Sequence, residues 1–432
     1  MIKEVLESKS FVIIGASREK DKVGHVILKN LLDKGHNAIP VNPNANEILG
    51  KKCFKSVLDI KEKIDCAIIV IKAEFVLNVM QEVVKKNIKN CVIISAGFSE
   101  FGNYELENRI KDIANKNKIN LIGPNSLGFI NTVSSVNASF FDGMPKKGKI
   151  AFISQSGAIG AAVLDSGVGL SGFVSIGNSL TLDFSDFIDY YCNDKNTEVI
   201  TLYIESLKKG MGKKFIETCK RCKKPIIALK SGKTEMGGKA ASSHTAALAS
   251  AEGVYEGIFK QCGIIEVDSI KQLFKTAEII TKLKKIGKRA CIVTNAGGLG
   301  VLTTDYCVKN NIELPNLPEN IKNKLNKILP LGWSKSNPVD ILGDAKPERY
   351  IETFKILEKE KFFDFFIVLL TPQYMTEAKK TAEVLIGIKD KPVIACFMGE
   401  YKVEEARKML KDRLPVFSEL KEMSEVLGKI IN

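Results

Sequence analysis

The sequence has three histidines, few arginines, thinly spread cysteines and no long apolar run, and each shortage narrows the chemistry. The longest apolar stretches, Cys66 to Ile71 and Phe362 to Leu370, fall well short of the ~20 residues a membrane-spanning helix needs, so no membrane is expected. Ten cysteines in 432 residues is not the density of a disulfide scaffold. The one close pair, Cys219 and Cys222, has no second pair at ligand spacing, so it reads as reduced thiols and no metal site is expected. The opening MIKEVLESKS carries acidic residues and no apolar segment, which excludes a signal or transit peptide and gives a cytoplasmic location as the expectation. A dinucleotide fingerprint is missing as well. After the first strand comes GASREKDKVGHVIL, without G-x-G-x-x-G, and the second strand ends in Asn42-Pro43 instead of an acidic residue for a ribose.

What is present is ordinary globular chemistry, 45% hydrophobic and 26% charged, which rules out disorder. At about 150 residues per domain the length suggests roughly three domains. The net charge of +14 comes mostly from lysine and points toward anionic partners. Those lysines lie on helix-like segments (KEKID, KKNIKN, KLKKIGKR) with no interleaved aromatics and no RRM, KH or zinc-finger pattern. A solvated surface is the reading, nucleic acid is not expected, and phosphorylated small molecules remain the class to consider.

Short β-branched runs alternate with helix-like stretches, the signature of βαβ units and parallel sheets. Three blocks separate. The first, 1–131, has strand candidates at Phe11 to Gly15, Ala38 to Val41, Cys66 to Ile71, Cys91 to Ser95 and Asn120 to Gly123. The second, 145–285, has them at Ile150 to Ser154, Gly172 to Ile176, Val199 to Glu205, Pro225 to Lys230 and Ile264 to Val267. The third, 288–432, has them at Ala290 to Thr294, Phe365 to Leu370, Val393 to Phe397 and Val416, with a Pro-punctuated loop from Pro315 to Pro347. The expected architecture is three successive doubly wound α/β domains.

One internal repeat carries chemistry. IAFISQSGAIGAAVLD (Ile150 to Asp165) and ACIVTNAGGLGVLTTD (Ala290 to Asp305) align without gaps, sharing Gly157/Gly297, Gly160/Gly300 and Asp165/Asp305. Each is a strand, a small-residue turn and a helix start, where free N–H groups and the helix dipole favour a phosphate. Two anion sites are expected. The turn Gly15-Ala16-Ser17-Arg18, with Lys22 nearby, could likewise hold a phosphorylated nucleotide.

Of the histidines, His25 and His36 fall in the first helical segment and read as core or surface residues. His244 sits in GGKAASSHTAALASAEG, after a strand and a loop containing Gly232, Gly237 and Gly238, where open α/β sheets place ligands. The preceding strand ends in Glu205, whose carboxylate could accept the Nδ1–H and leave Nε2 as a nucleophile. A structural pair of the same residues is equally compatible. Phosphate-binding helix starts on either side in the sequence make a phosphoryl group the natural electrophile.

In order, GAS, IPVNPNANEILGKKCFKSV, VIISAGF, GPNSLG, ISQSGAIG, LYIES, SGKT, SSHTAALA, TNAGGLGVL and NPVDILGDA resemble the α subunit of NDP-forming acyl-CoA synthetases, relatives of succinyl-CoA synthetase. The resemblance covers essentially the whole chain. It implies a Rossmann-like CoA-binding domain followed by two flavodoxin-like ligase domains. It implies the reaction acyl-CoA + ADP + phosphate ⇌ acid + CoA + ATP through an acyl phosphate and a phosphohistidine at His244, with Glu205 as its orienting partner. By the same resemblance Ser154, Gln155, Ser156, Gly157, Asn295, Gly297 and Gly298 hold phosphate. Gly15, Ala16, Ser17, Arg18, Asn42, Pro43, Ser95, Ala96 and Gly97 fall on the CoA-contacting loops, and Gly123, Pro124 and Asn125 lie where the thiol would arrive. No stretch reads as an ATP-grasp domain, so ADP/ATP with Mg2+ is expected on a separate β subunit of a hetero-oligomer acting on a small carboxylic acid. The alternative is a CoA-binding regulatory module of the same fold without turnover.

Overall fold

The computed structural model describes residues 2–234, 236–238, 253–283 and 286–431. Among them are three sheets whose cores of parallel strands are built to one plan. In the first, β1 (Ser10–Ile14), β2 (Asn37–Val41), β5 (Cys66–Ile69), β6 (Asn90–Ile93) and β7 (Asn120–Ile122) lie in the order β2-β1-β5-β6-β7. A separate ribbon pairs β3 (Glu47–Ile48) with β4 (Lys51–Lys52). Alternate residues of each strand feed opposite faces. Phe11, Ile13, Cys66 and Ile68 pack with the helix Val23–Asp33, while Val12, Ile14, Ala67 and Ile69 pack with the helices Ala73–Lys85 and Tyr104–Lys116. Strands buried on both faces read as continuous apolar runs, which is why FVII and CAII were legible.

The second sheet holds β8 (Gly128–Asn131), β9 (Val136–Ser139), β10 (Lys147–Ser154), β11 (Leu170–Ser175), β12 (Val199–Ile204), β13 (Ile226–Lys230) and β14 (Ile265–Val267), ordered β14-β13-β12-β10-β11-β8-β9. Here the structure departs from expectation. Residues 128–131 belong with the second sheet, where β8 runs antiparallel to β11 and pairs with β9, instead of ending the first block. The hairpin went unread because GFIN and VNAS are short and carry little β-branched signal. The third sheet, β15 (Ala290–Thr294), β16 (Val339–Asp340), β17 (Phe365–Leu370), β18 (Val393–Phe397) and β19 (Val416–Phe417), is ordered β16-β15-β17-β18-β19. The stretch expected as a loop from Pro315 contains the helix Glu319–Leu325 and β16. Ile321 and Leu325 bury one side of that helix against the core beside Leu317, a pattern hidden by its short length.

By contact, the chain divides into Met1–Leu273 and Phe274–Asn432, so the first two sheets form one compact unit. Their join is a shared core. The helix Val23–Asp33 packs on both β2 and β9, and Asn30 donates its amide to the Ser139 and Phe141 carbonyls at 3.1 and 2.8 Å. In all three sheets the first strand of the block lies between the second and third, so the chain reverses direction of travel beside β1, beside β10 and beside β15. The crevice at the carboxyl ends of those strands is where such sheets bind ligands.

Two properties of these units can be measured. A Cβ on Gly24 would stand 2.1 Å from the Gly15 carbonyl oxygen, whereas one on Gly257, exposed in the helix Val254–Cys262, meets nothing. Gly24→Ala is expected to lower stability by about 1–3 kcal/mol and Gly257→Ala to raise it by up to about 1 kcal/mol, read by hydrogen exchange of the β1 amides. In the second unit, Asp364 accepts from Arg289 Nη2 at 2.7 Å, Nε at 3.2 Å and its backbone N–H at 3.0 Å. The guanidinium holds the Asp364 carboxyl below its usual range. A lowered carboxyl stabilises the fold above the ordinary carboxylate range, and that contribution disappears as pH falls through the lowered value. Asp364→Asn should therefore lower the urea midpoint of the single tryptophan, Trp333, at pH 7, with a difference from wild type that closes on acidification.

Candidate functional site

The turn after β10 is built by a hydroxyl that reaches forward. Ser154, fully buried, donates Oγ–H to the Ser156 carbonyl at 2.8 Å and accepts the Ser156 N–H at 3.2 Å, which bends the chain directly into the helix Gly157–Asp165. Ser156 then caps that helix by accepting the Ile159 N–H. At the first helical positions, the amides of Gly157 and Ala158 have no acceptor among the described residues. Gly160 is glycine for packing, since a Cβ there would stand 2.5 Å from the Phe173 ring.

Gln155 does something the sequence reading did not assign. Its Oε1 accepts the N–H of Glu205 at 2.6 Å and of Ser206 at 2.9 Å, and its Nε2 donates to the Ser206 carbonyl at 2.9 Å. The side chain expected to hold phosphate is thus committed to the backbone that carries Glu205. Glu205 is the first residue past β12 and is 9% exposed. Tyr255 fixes the same segment from the other side, accepting the Leu207 N–H at 2.7 Å. The Lys230 ammonium lies over the Tyr255 ring at 4.6 Å.

The second copy repeats the hydroxyl clasp, though its N-cap Ala296 has no side-chain bond. Thr294 Oγ1 donates to the Ala296 carbonyl at 3.1 Å and accepts its N–H at 3.0 Å, ahead of the helix Gly297–Lys309. Asn295 does what Gln155 does, donating to the Thr371 carbonyl and accepting the Thr371 N–H, both at 2.9 Å, and it adds a bond to Gln373 at 2.8 Å. The copies differ in what faces them. Ser154 is in register with Ser175, whereas Thr294 is in register with Asp340, whose Oδ2 would lie 2.8 Å from a Cβ on Gly297. A hydroxyl thus flanks the first helix start and a carboxylate the second; Gly298 is open.

The loops at the carboxyl edge of the first sheet form a connected chain of bonds. Asn42 donates to the Ala16 carbonyl at 2.8 Å and accepts the Asn44 N–H at 2.8 Å, and His25 Nδ1 contacts the Ser17 carbonyl at 2.9 Å. Gly15 takes a left-handed φ of 95°, and a Cβ there would collide with the Val70 carbonyl. Pro43 receives Lys55 on its carbonyl at 2.7 Å; Arg18 and Ala96 are exposed. Ser95 accepts the Ile71 N–H at 3.2 Å and receives the Asn125 N–H on its own carbonyl at 2.8 Å. Gly97 donates its N–H to Glu100 at 2.7 Å. Gly123-Pro124 is cis, and the Gly123 and Pro124 carbonyls accept from Leu180 and Asn178. Asn178, absent from the sequence reading, gives its amide to Glu100 at 2.6 Å and Glu107 at 2.8 Å, so one side chain ties the first sheet's loops to the strand beside Ser154.

Of the residues expected to act together, Ser154 to Gly157 and Glu205 are adjacent, and Gly15 to Arg18, Asn42, Pro43, Ser95 to Gly97 and Gly123 to Asn125 share one sheet edge. His244 lies outside the described residues. His25 is buried against Ser17, and His36 falls beyond its helix, with Nε2 3.0 Å from the Ser135 carbonyl. The ten thiols are free, and burial raises Cys222 to about 12. No cluster of three metal-binding side chains occurs among the described residues.

The clasps predict matched costs. Gln155→Leu leaves the Glu205 and Ser206 amides without acceptors, and Asn295→Leu does the same to Thr371. Each should destabilise its own unit by about 1–3 kcal/mol in urea, with Trp333 fluorescence responding to Asn295→Leu.

Comparison with known proteins agrees with this fold. A CoA binding domain matches residues 9–132, a succinyl-CoA ligase like flavodoxin domain 147–280 and a ligase-CoA domain 290–429. The chain is 43% identical over 431 residues to the acetate–CoA ligase [ADP-forming] of Methanocaldococcus jannaschii, covering 96% of this chain and 61% of that relative. It therefore spans about 60% of the length of that protein and of a second, 41% identical relative from Archaeoglobus fulgidus, of which it covers 59%. Against the acetate–CoA ligase [ADP-forming] II subunit alpha of Pyrococcus furiosus it is 38% identical, covering 96% of this chain and 94% of that one. Its structure superposes with a TM-score of 0.94, at 33% identity, on a Candidatus Korarchaeum cryptofilum acetyl-coenzyme A synthetase solved with phosphate and ADP, covering 100% of this chain and 96% of that one. A chain with these three domains in this order, matching such a subunit almost end to end, belongs to the family of ADP-forming acetate–CoA ligase alpha subunits.

Proposed function

We propose that this chain is the α subunit of a cytoplasmic ADP-forming acyl-CoA synthetase and carries the CoA and phosphoryl half of the reaction. The observation that carries the reading is the Gln155 clasp: a buried carboxylate, Glu205, is fixed by its own backbone to the turn that opens a helix with two free amides. That arrangement suits a phosphoryl group at the helix start and an imidazole held by the carboxylate.

In this reading 1–131 binds coenzyme A, 145–285 carries the phosphohistidine and 288–432 is the ligase-CoA domain. CoA phosphates meet the Gly15–Arg18 turn and the Asn42-Pro43 loop, and the thioester approaches Gly123 to Asn125. A phosphate oxygen attacks the thioester carbonyl, the C–S bond breaks and the thiolate takes a proton, giving acyl phosphate and CoA. The amides of Gly157 and Ala158 face the phosphate charge in the turn after β10; in the second unit, Gly297 and Gly298 open a turn of the same kind. Nε2 of His244 then attacks phosphorus, the bond to the acyl oxygen breaks and the carboxylate departs, while Glu205 accepts the Nδ1–H and stabilises the charge that develops on the ring. The final transfer to ADP, with Mg2+, is assigned to an ATP-grasp β subunit in a hetero-oligomer, a reading supported by the subunit alpha naming of the Pyrococcus furiosus relative.

Incubation with an acyl-CoA and radiolabelled phosphate, with and without that partner, tests the reading. Acid-labile, base-stable label is expected on the wild type, none on His244→Ala, and on Glu205→Gln a rate lower by about 10²-fold or more. Absence of label on a chain that still binds CoA would leave a CoA-binding module in place of an enzyme.

A further inference from the structure

β12 ends at Ile204, whose carbonyl takes the last ladder bond from the Ser231 N–H at 3.0 Å. The next three amides lie past the ladder, and side chains hold all of them. Gln155 Oε1 accepts those of Glu205 and Ser206, and the Tyr255 hydroxyl accepts that of Leu207 at 2.7 Å. The two amides on Gln155 share one oxygen, so the grip is close to a single point. Leu207 is the end it does not reach, and beyond it Lys209 and Gly210 are exposed. The phenol that fixes that end is itself braced. Tyr255 is 8% exposed, its ring meets that of Phe259 edge-on with centroids 6.0 Å apart, and the Lys230 ammonium lies over it at 4.6 Å. Phe259 is buried in the core that β12 also feeds. Tyr255 lies in the first turn of the helix Val254–Cys262, the first described helix after the stretch that carries His244.

We propose that Tyr255 is a positioning residue for phosphoryl transfer: its hydroxyl pins the Leu207 end of the segment bearing Glu205, and so ties the helix that follows the histidine stretch to the carboxylate that orients the imidazole. This rests on the assignment of Glu205 to the phosphorylated histidine. Without the second anchor the segment is free to turn about the Gln155 bonds, and a misplacement of about 1 Å at a reacting group costs up to about 10²-fold in rate. Phenylalanine at position 255 keeps the ring and its packing and loses only the acceptor.

The experiment compares Tyr255→Phe with Tyr190→Phe, which loses a hydroxyl bonded to Glu7 at 3.1 Å in the same unit, each in the full chain with its partner. Two steps are followed separately: release of CoA from acetyl-CoA and phosphate, and labelling of the protein by radiolabelled acetyl phosphate, which enters after the CoA step. Tyr255→Phe should take label at least about tenfold more slowly at saturating acetyl phosphate, with the half-saturating concentration and the rate of CoA release unchanged. Tyr190→Phe should match wild type in all three. A wild-type labelling rate in Tyr255→Phe overturns the proposal. Slow labelling that Tyr190→Phe shares, or that comes with an equal loss of CoA release or a raised half-saturating concentration, overturns it as well, because a general loosening of the unit would do the same. If Tyr255→Phe does not fold, hydrogen exchange of the Leu207 amide in the wild-type chain decides: protection is expected, and exchange at the rate of an unbonded amide overturns the anchor. Label that survives in His244→Ala, or a wild type that takes none, sinks the underlying assignment instead, so the two failures are distinguishable.

Discussion

A single side-chain amide reaching across two diverging strand ends is the constraint on which the rest depends. At the point where a parallel sheet reverses its winding, the first and third strands part and their carboxyl-end backbones lose their ladder partners. Gln155 fills that gap with three hydrogen bonds, and Asn295 does so with a reciprocal pair to Thr371. Each amide converts an open crevice into a rigid floor. Because one carboxamide donates from one atom and accepts on another, it can satisfy an N–H and a C=O of the neighbouring chain together, which an ionised carboxylate, an acceptor only, could not. The helix start on one side and Glu205 on the other are thereby held in one frame.

The same device in both copies explains why the repeat has kept its spacing, and the divergence beside it explains why the copies are not interchangeable. Ser154 and Thr294 form the same hydroxyl clasp, and Gly160 and Gly300 let their helices approach the sheet. Yet the strand lying alongside contributes Ser175 in one and Asp340 in the other. A neutral hydroxyl leaves the dipole of the helix Gly157–Asp165 to an incoming anion, whereas a carboxylate already meets part of that of Gly297–Lys309. The two turns share a backbone and differ in electrostatics.

Around this floor, the first sheet's loops are tied in by Asn125 and Asn178. The Ser95 carbonyl, the cis Gly123-Pro124 turn and the Glu100 and Glu107 carboxylates all meet these two asparagines. A Cβ on Gly177 would stand 2.1 Å from the Pro124 carbonyl oxygen, so only glycine allows the two loops to close on each other. The loop edge of the first sheet and the turn after β10 thus belong to one hydrogen-bonded body within the first unit.

Sequence alone determined the parallel α/β class, because strands buried on both faces must be apolar throughout. It also determined the repeat at 150 and 290, because a strand that turns directly into a helix needs small residues at fixed spacing, and it marked Glu205 and His244 as the reactive candidates. It left β8, β9, β16 and the helix Glu319–Leu325 unread, all too short for periodicity to register. Only the tertiary structure decided which polar side chains serve the fold and which face the crevice. Gln155 and Asn295, expected among the phosphate-holding residues, have side chains that bond the backbone at the end of the strand in register alongside. Hydrogen-bond partners distant in sequence are chosen by that register, and spacing along one chain carries no record of it.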